Sequence, residues 1–450
     1  MPHPVFFRYA CLCILPALSF AAAPPDQVDR LGKDLTPLGA ERAGNKEGSI
    51  PEWTGGITTP PAGYKIDQQH VDPFAADQPL QTITSANASS FASQLSEGQK
   101  AMFAKYPSFA MKIYPTRRSA SFPQRIYDKT RENAATGKML PGGAGVSGVA
   151  EGIPFPITSD PAELIWNHKL KFKGVAARRY NPHVAPTATG NYSLVSLREE
   201  ILGPYWKQGN TLDDIDNILT YFFQVVEAPP RLAGSILLVH ETLNQDSRPR
   251  QAWLYNPGQR RVRKAPQVAY DNPATASDGL SFNDMTDMFN GSLDRFDWKF
   301  LGKREMLVPY NAYKAHSEKT TPADLVRPGH LNPEFLRYEL HRMYVVDATL
   351  KQGMRHSNSR RTYYLDEDSY QIVMIEHYDS AKRLWRYSEA HPINYYQMPL
   401  LWTTLEVHHD LLNGRYIAYG LDNQSQPYDF SFETSPKNFT PQALRTRGTR

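Results

Sequence analysis

Cysteine is almost missing from this chain of 450 residues: there are 2, Cys11 and Cys13, both close to the N-terminus. A chain with no later cysteine has no disulfide framework and must hold itself together by burial, which its length allows. Charge of one sign is scarce too. Lys and Arg number 50 against 46 Asp and Glu, a formal net charge of +4, too mild to demand a nucleic-acid partner. Long apolar runs are also lacking. The stretch Ala10 to Phe20 is shorter than the ~20 residues that a membrane-spanning helix needs, and nothing later replaces it.

Catalytic signatures are equally sparse. No G-x-S-x-G nucleophile elbow occurs, which argues against an α/β-hydrolase. His240-Glu241-Thr242-Leu243-Asn244 lacks the second histidine of the zinc-protease pattern, and it lies in a strand-like run whose ends would not share a helical face. Gly143-Ala-Gly145-Val-Ser-Gly148 matches a dinucleotide string. Pro141 precedes it and Gly152-Ile-Pro-Phe-Pro156 follows, so the required strand-turn-helix frame is missing.

The N-terminus reads as an export signal over residues 1–21. Arg8 is its only charge, the apolar stretch follows, and Ser19-Phe20-Ala21 supplies small residues for cleavage. Removing Arg8 lowers the net charge by one, from +4 to +3. Cys11 follows Arg8-Tyr9-Ala10 rather than a small-residue box, so lipidation is not expected. The expected mature protein is soluble, cysteine-free and periplasmic, and it could lie peripheral to the outer membrane.

Aromatic residues make up 12% of the chain, and 36 prolines punctuate it. These favour many short elements, strands above all. Residues 22–150 are polar and irregular and read as an extended arm with short helices, anchored by Trp53. One helix is expected from Ser96 to Tyr106, because Met102, Phe103 and Tyr106 share a helical face. Residues 151–450 read as the main domain. Asp160, Pro161 and Glu163 mark a helix start. Beyond residue 190 strands alternate with turns: Pro257-Gly258 suggests a type II turn, Asp366-Glu367-Asp368 an acidic turn, and Asn413-Gly414 a hairpin. Consecutive hairpins predict a mainly β (α+β) protein built on one large antiparallel sheet.

Four polar groupings are candidates for chemistry. Glu406, His408 and Asp410 alternate on one strand, as do Glu339 and His341. Three ligands at period two could hold a metal, but so loose a pattern is better read as the solvent-facing side of a strand whose Leu401, Leu405 and Val407 fill the core, so no metal or cofactor is expected. The acidic turn lacks the spaced ligands and glycine of a calcium loop and reads as solvated. The run Arg260-Arg261-Val262-Arg263-Lys264 is the densest basic segment. It suits anionic lipid headgroups or an acidic partner, or else salt bridges to Asp271, Asp294 or Asp297; its strand period separates Arg261 and Arg263 from Arg260, Val262 and Lys264.

Several long segments resemble an exported proteobacterial family, domain of unknown function 1329, described as outer-membrane lipoprotein-sorting-like. They are Leu35-Thr-Pro-Leu-Gly-Ala-Glu-Arg-Ala-Gly-Asn45, Gly152-Ile-Pro-Phe-Pro156, Ile165-Trp-Asn-His168, the Trp253 to Pro266 stretch, Phe289 to Trp298, Arg337 to Arg342 and Tyr364 to Ser369. The resemblance implies a LolA/LolB-like carrier fold, an open, strongly curved half-barrel whose concave face is closed by a few helices. It also implies an apolar cavity that buries acyl chains without catalysis, at ~0.8 kcal/mol per methylene. Cavity candidates are Trp166, Trp253, Tyr255, Leu340, Tyr344 and Val346; headgroup or partner candidates are Arg260, Arg261, Arg263 and Lys264. Implied partners are a lipid or other lipophile, an outer-membrane β-barrel protein and a resistance-nodulation-division-type exporter, with no nucleic acid. Two other roles stay open: an adaptor for such a barrel and pump, and an envelope polysaccharide- or lipid-modifying enzyme using carboxylates such as Glu339 or Asp368.

Overall fold

The computed structural model describes residues 23–265 and 270–448; the expected export signal, residues 1–21, lies outside them. The chain opens with one turn, α1 (Pro25–Val28), followed by β1 (Gln81–Ile83), α2 (Glu97–Lys105), β2 (Met111–Ile113) and α3 (Gln124–Thr136). A short hairpin, β3 (Lys138–Met139) with β4 (Val146–Ser147), precedes α4 (Pro161–Leu170). Then come β5 (Ala176–Tyr180), β6 (His183–Val184), β7 (Ser196–Leu202), β8 (Ile218–Ala228), β9 (Ile236–Thr242), β10 (Gln251–Asn256) and β11 (Arg261–Lys264). The second half holds β12 (Phe296–Pro309), α5 (Tyr313–His316), α6 (Pro322–Leu325), β13 (Tyr338–Leu350), β14 (Arg360–Asp366), β15 (Ile372–Tyr378), β16 (Leu384–Asn394), β17 (Leu401–Asp410), β18 (Tyr416–Tyr419) and α7 (Pro441–Gly448).

Local signals placed several of these elements. The Ser96 side chain accepts from Gln99 N while Gln99 returns a bond to Ser96 N, so a capping box starts α2. The Asp160 carboxylate accepts from Ala162 N and Glu163 N, and Pro161 opens α4. The β17–β18 hairpin turns through Gly414 at φ +77, with Asp410 capping Leu412 N and Asn413 N. The β10–β11 turn differs from its prediction: the left-handed residue is Arg260 (φ 49), not Gly258. The Asn256 side chain accepts from Gln259 N and stretches the turn beyond a two-residue type II form.

Strands β12 to β18 form an antiparallel meander that ends on β6; β1 and β2 attach at the start of β13, giving a ten-stranded open sheet. Its curvature is strong, because β12 returns into contact with β15 and β16, three and four strands along. Helix α2 packs on β15 and β16, α4 on β12 and β13, and α5 on β17. The half-barrel class holds. The single sheet does not, because β5 and β7 to β11 separate into a second, six-stranded sheet in the order β11-β10-β9-β8-β7-β5. The two sheets stay linked at one edge: two residues separate β5 from β6, which pairs with β18 of the large sheet, and His183 of β6 also bridges Val195 just before β7. One apolar core runs from Leu38 to Tyr428 and draws on the segments before residue 150 as well as both sheets.

Candidate functional site

The strand register gives the six-stranded sheet two unlike faces. On one, Leu202, Phe223, Ile236, Leu238 and Tyr255 are buried with Phe439 and Leu444 of the C-terminal segment and α7. On the other, Ala177 of β5, Ile201 of β7, Phe222 of β8 and Val239 of β9 stand in one cross-strand row, with Leu237 beside them. This second face looks across a cleft toward β17 and the loop before β12. Trp206, Leu219, Phe289 and Trp402 complete the apolar wall of the cleft. An adjoining void shares Phe222, Leu237 and Asp287 with it and extends along Glu199, Glu406 and His408. Ile201, Phe222 and Leu237 are only half-buried although they belong to paired strands, because they face this space.

One end of the cleft is charged. Lys169, Lys173, Arg179, Glu241, Arg250 and Asp287 line it. Arg250 pairs with Glu241, and Arg179 with Glu199. The Lys171 ammonium lies 2.7 Å from the Asp287 carboxylate, which Lys173 also reaches and to which Trp402 Nε1 donates. Burial would raise the Asp287 pKa, but Lys171 and Lys173 hold it well below the usual carboxylate range. The neighbouring Glu406 is pushed up to about 8 by burial and by the Asp287 charge, so it keeps its proton at neutral pH. Burial lowers Lys169 to about 7; its ammonium donates to the Gly291 carbonyl and lies 4.1 Å above the Trp166 ring.

The cleft floor is a loop bent out of ordinary backbone. Asp287 and Met288 have φ 50 and 66, the left-handed region that costs a non-glycine residue ~1 kcal/mol or more. His168 pins it: its Nε2–H donates to the Asp287 carbonyl (2.9 Å), and its Nδ1 accepts from Ile372 N (3.2 Å) on the large sheet. The Ile165-Trp-Asn-His168 segment is thus a bracket joining helix α4, the cleft floor and the half-barrel.

None of the six cavity candidates lines this cleft. Trp166 comes nearest; it is fully buried behind Lys169, with its Nε1 donating to Gly143 O. Leu340, Tyr344 and Val346 are buried in the core of the large sheet. Trp253 and Tyr255 lie on the opposite face of the six-stranded sheet, Tyr255 under α7 and Trp253 in a shallow groove with Pro441 and Arg445. The basic run is an edge strand, since β11 pairs only with β10. Arg261 and Arg263 stand opposite Asn256 and Leu254, on the cleft-side face, where Leu254 is 42% exposed. Arg260, Arg261 and Arg263 are exposed and make no ion pair among the described residues. The salt bridges weighed for them do not form: Asp271 pairs with Arg295.

Three solvent-facing assignments are corrected. His408 and Asp410 are buried and Glu406 is half-buried; Glu406 and His408 stay 3.8 Å apart while His408 also bonds Ser388, and Asp410 instead accepts from Trp385. Glu339 and His341 are also buried, the carboxylate held by Arg337, Asn311 and the Arg117 N–H. The turn Asp366-Glu367-Asp368 is buried rather than solvated. Arg118 forks onto Asp368 at 2.6 and 2.8 Å, and Lys303 and Arg342 hold Glu367. The cause is the N-terminal segment: Arg118 also donates to the carbonyls of Glu41, Arg42 and Pro51, laying that segment over the turn. Sequence reasoning missed the cleft itself. Its one local signal was Lys169-Leu170-Lys171-Phe172-Lys173, lysines alternating with apolar residues straight after the bracket.

Fold and cleft together define an α+β protein with an open, curled half-barrel, a second sheet and an apolar space between them. The chain belongs to the family described as protein of unknown function (DUF1329), whose model matches residues 82–445. An uncharacterized protein of Pseudomonas aeruginosa is 44% identical over 441 residues, which is 98% of this chain and 97% of that one. Among solved structures, a DUF1329 family protein from Desulfovibrio piger is similar with a TM-score of 0.43 at 15% identity, covering 63% of this chain and 96% of its own. A LolA superfamily protein from Nitrosomonas europaea is similar with a TM-score of 0.37 at 11% identity, covering 62% and 97%.

Proposed function

We propose that this protein is a periplasmic, non-catalytic carrier or accessory protein that holds a lipid or other lipophile for the outer membrane. The observation that carries this reading is the cleft: the half-buried strand residues Ile201, Phe222 and Leu237 face an apolar-walled space with a charged end. Burial of each methylene of a lipophile against such a wall contributes ~0.8 kcal/mol. The Lys169, Lys173 and Arg250 end suits a polar or anionic headgroup. Row neighbours carry the same face from Leu237 through Leu254 to Arg263 at the sheet edge, a route from cleft to anionic surface. The resemblance to exported lipoprotein-sorting-like proteins supports periplasmic placement, an N-terminal arm built into the carrier unit, and a barrel protein and exporter as partners. No helix of the described residues is long and apolar enough to cross a membrane. The carboxylates named for an enzymatic role, Glu339 and Asp368, are buried in ion pairs.

Native mass spectrometry of the protein purified from a periplasmic extract, followed by organic extraction, tests the reading. A discrete lipophile that a fluorescent fatty-acid analogue displaces is the expected result. A protein that emerges empty and binds neither the analogue nor phospholipid would overturn it.

A further inference from the structure

The buried polar cluster on the large sheet, away from the cleft, contains a group whose hydrogen bonds do not close. His341 Nε2 lies 3.1 Å from Glu339 Oε2, so it carries the proton and donates to that carboxylate. Nδ1 therefore presents its lone pair, and it faces Asp366 Oδ1 at 3.9 Å, too far for a hydrogen bond. Asp366 is fully buried, and its two oxygens differ sharply. Oδ2 accepts from Tyr310 and Ser369, whereas Oδ1 has no hydrogen-bond partner. Each neighbouring carboxylate has a cation: Arg337 for Glu339, Lys303 and Arg342 for Glu367, Arg118 for Asp368. Asp366 has neither lysine nor arginine. Two lone pairs aimed at each other in a buried site repel unless a proton or a metal cation stands between them.

The geometry points to a divalent-cation site here, with His341 Nδ1, Asp366 Oδ1 and an Asp368 oxygen as ligands for a first-row transition metal of zinc type. The ligand atoms of these three residues lie within 4.8 Å of one another. Zinc bonds of ~2.0–2.2 Å to nitrogen and oxygen place two ligands ~3.4 Å apart in a tetrahedron, so closing the His341–Asp366 gap of 3.9 Å needs about half an ångström and the widest pair, within 4.8 Å, up to about 1.4 Å. The Glu339–His341 bond is the carboxylate–imidazole arrangement that orients a metal-bound histidine. Tyr310 stacks on the His341 ring at 3.9 Å and holds its plane. Asp368 gives one lone pair of each oxygen to Arg118 and keeps a second for the ion. One imidazole with carboxylates selects zinc and its neighbours over calcium or magnesium, which take oxygen ligands alone. The ion would join β13, the β14–β15 turn and, through Arg118, the segment from Glu41 to Pro51.

The test is elemental analysis of the full chain produced in zinc-supplemented medium and desalted, beside Asp366→Asn prepared identically. The expected result is about one zinc or neighbouring transition-metal ion per chain, falling to under about a tenth in D366N. A wild-type chain holding under about a tenth of an ion, or a folded D366N that keeps its full complement, would overturn the site. Should D366N fail to fold, X-ray absorption of the zinc-loaded wild type decides: one imidazole with oxygen ligands supports the assignment. Several imidazoles, or none, would refute it.

Discussion

Replacing Leu237 by tryptophan puts a bulky ring where the cleft and its adjoining void meet, since Leu237 borders both. The indole adds six heavy atoms to the leucine side chain and would displace about 4–6 methylenes of a bound chain. At ~0.8 kcal/mol each this weakens binding by about 3–5 kcal/mol, or roughly 10²- to 10⁴-fold. The fold should tolerate it. Leu237 is half-buried beside open space, so the change fills a void, and overpacking should cost no more than ~1–3 kcal/mol. Displacement titration with a fluorescent fatty-acid analogue measures the affinity, and a thermal melt measures the fold. Leu237→Met, nearly volume-conserving, should bind as the wild type does. A folded L237W that binds within about twofold of wild type would place the lipophile elsewhere and refute the reasoning.

Charge reversal at the edge strand, Arg261→Glu with Arg263→Glu, should weaken binding to vesicles containing anionic phospholipid by about tenfold or more, with the difference shrinking at high salt; co-sedimentation measures it. Asp287→Ala removes the partner of Lys171, whose side chain is fully buried, and should destabilise the protein by about 3–5 kcal/mol in a denaturant titration, more than Lys171→Met, which removes the charge left behind. Acid should also destabilise the fold. Burial lowers His70 and His408 to about 3 and His409 to about 4, so these rings stay neutral while the unfolded chain takes up protons below about 6.5. Their contribution is present above that pH and is lost as pH falls toward 4. Glu406, raised to about 8, acts with the opposite sign and offsets one of the three. These four groups together should remove about 2–3 kcal/mol per pH unit between pH 6 and 5, read from urea midpoints across that range.

What sequence alone determined was local. The capping box of α2 and the Asp160 cap of α4 depend on atoms within three residues of one another, and the Asn413-Gly414 hairpin on a short turn, so they were legible before any packing was known. The mainly β class followed from the same periodicity, repeated strand after strand. The division into two sheets was not legible, because alternation says which residues share a face and not which other face covers it. The cleft exists because the row through Ile201, Phe222 and Val239 meets Trp402, far along the chain. The acidic turn looked solvated because its cover, Arg118 and the carbonyls of Glu41, Arg42 and Pro51, lies hundreds of residues earlier. His341 likewise read as a solvent-facing strand residue and Asp366 as part of a solvated turn until β13 and β14 paired. Burial and charge pairing are properties of the neighbours in space, and for this chain those neighbours were supplied by the tertiary structure alone.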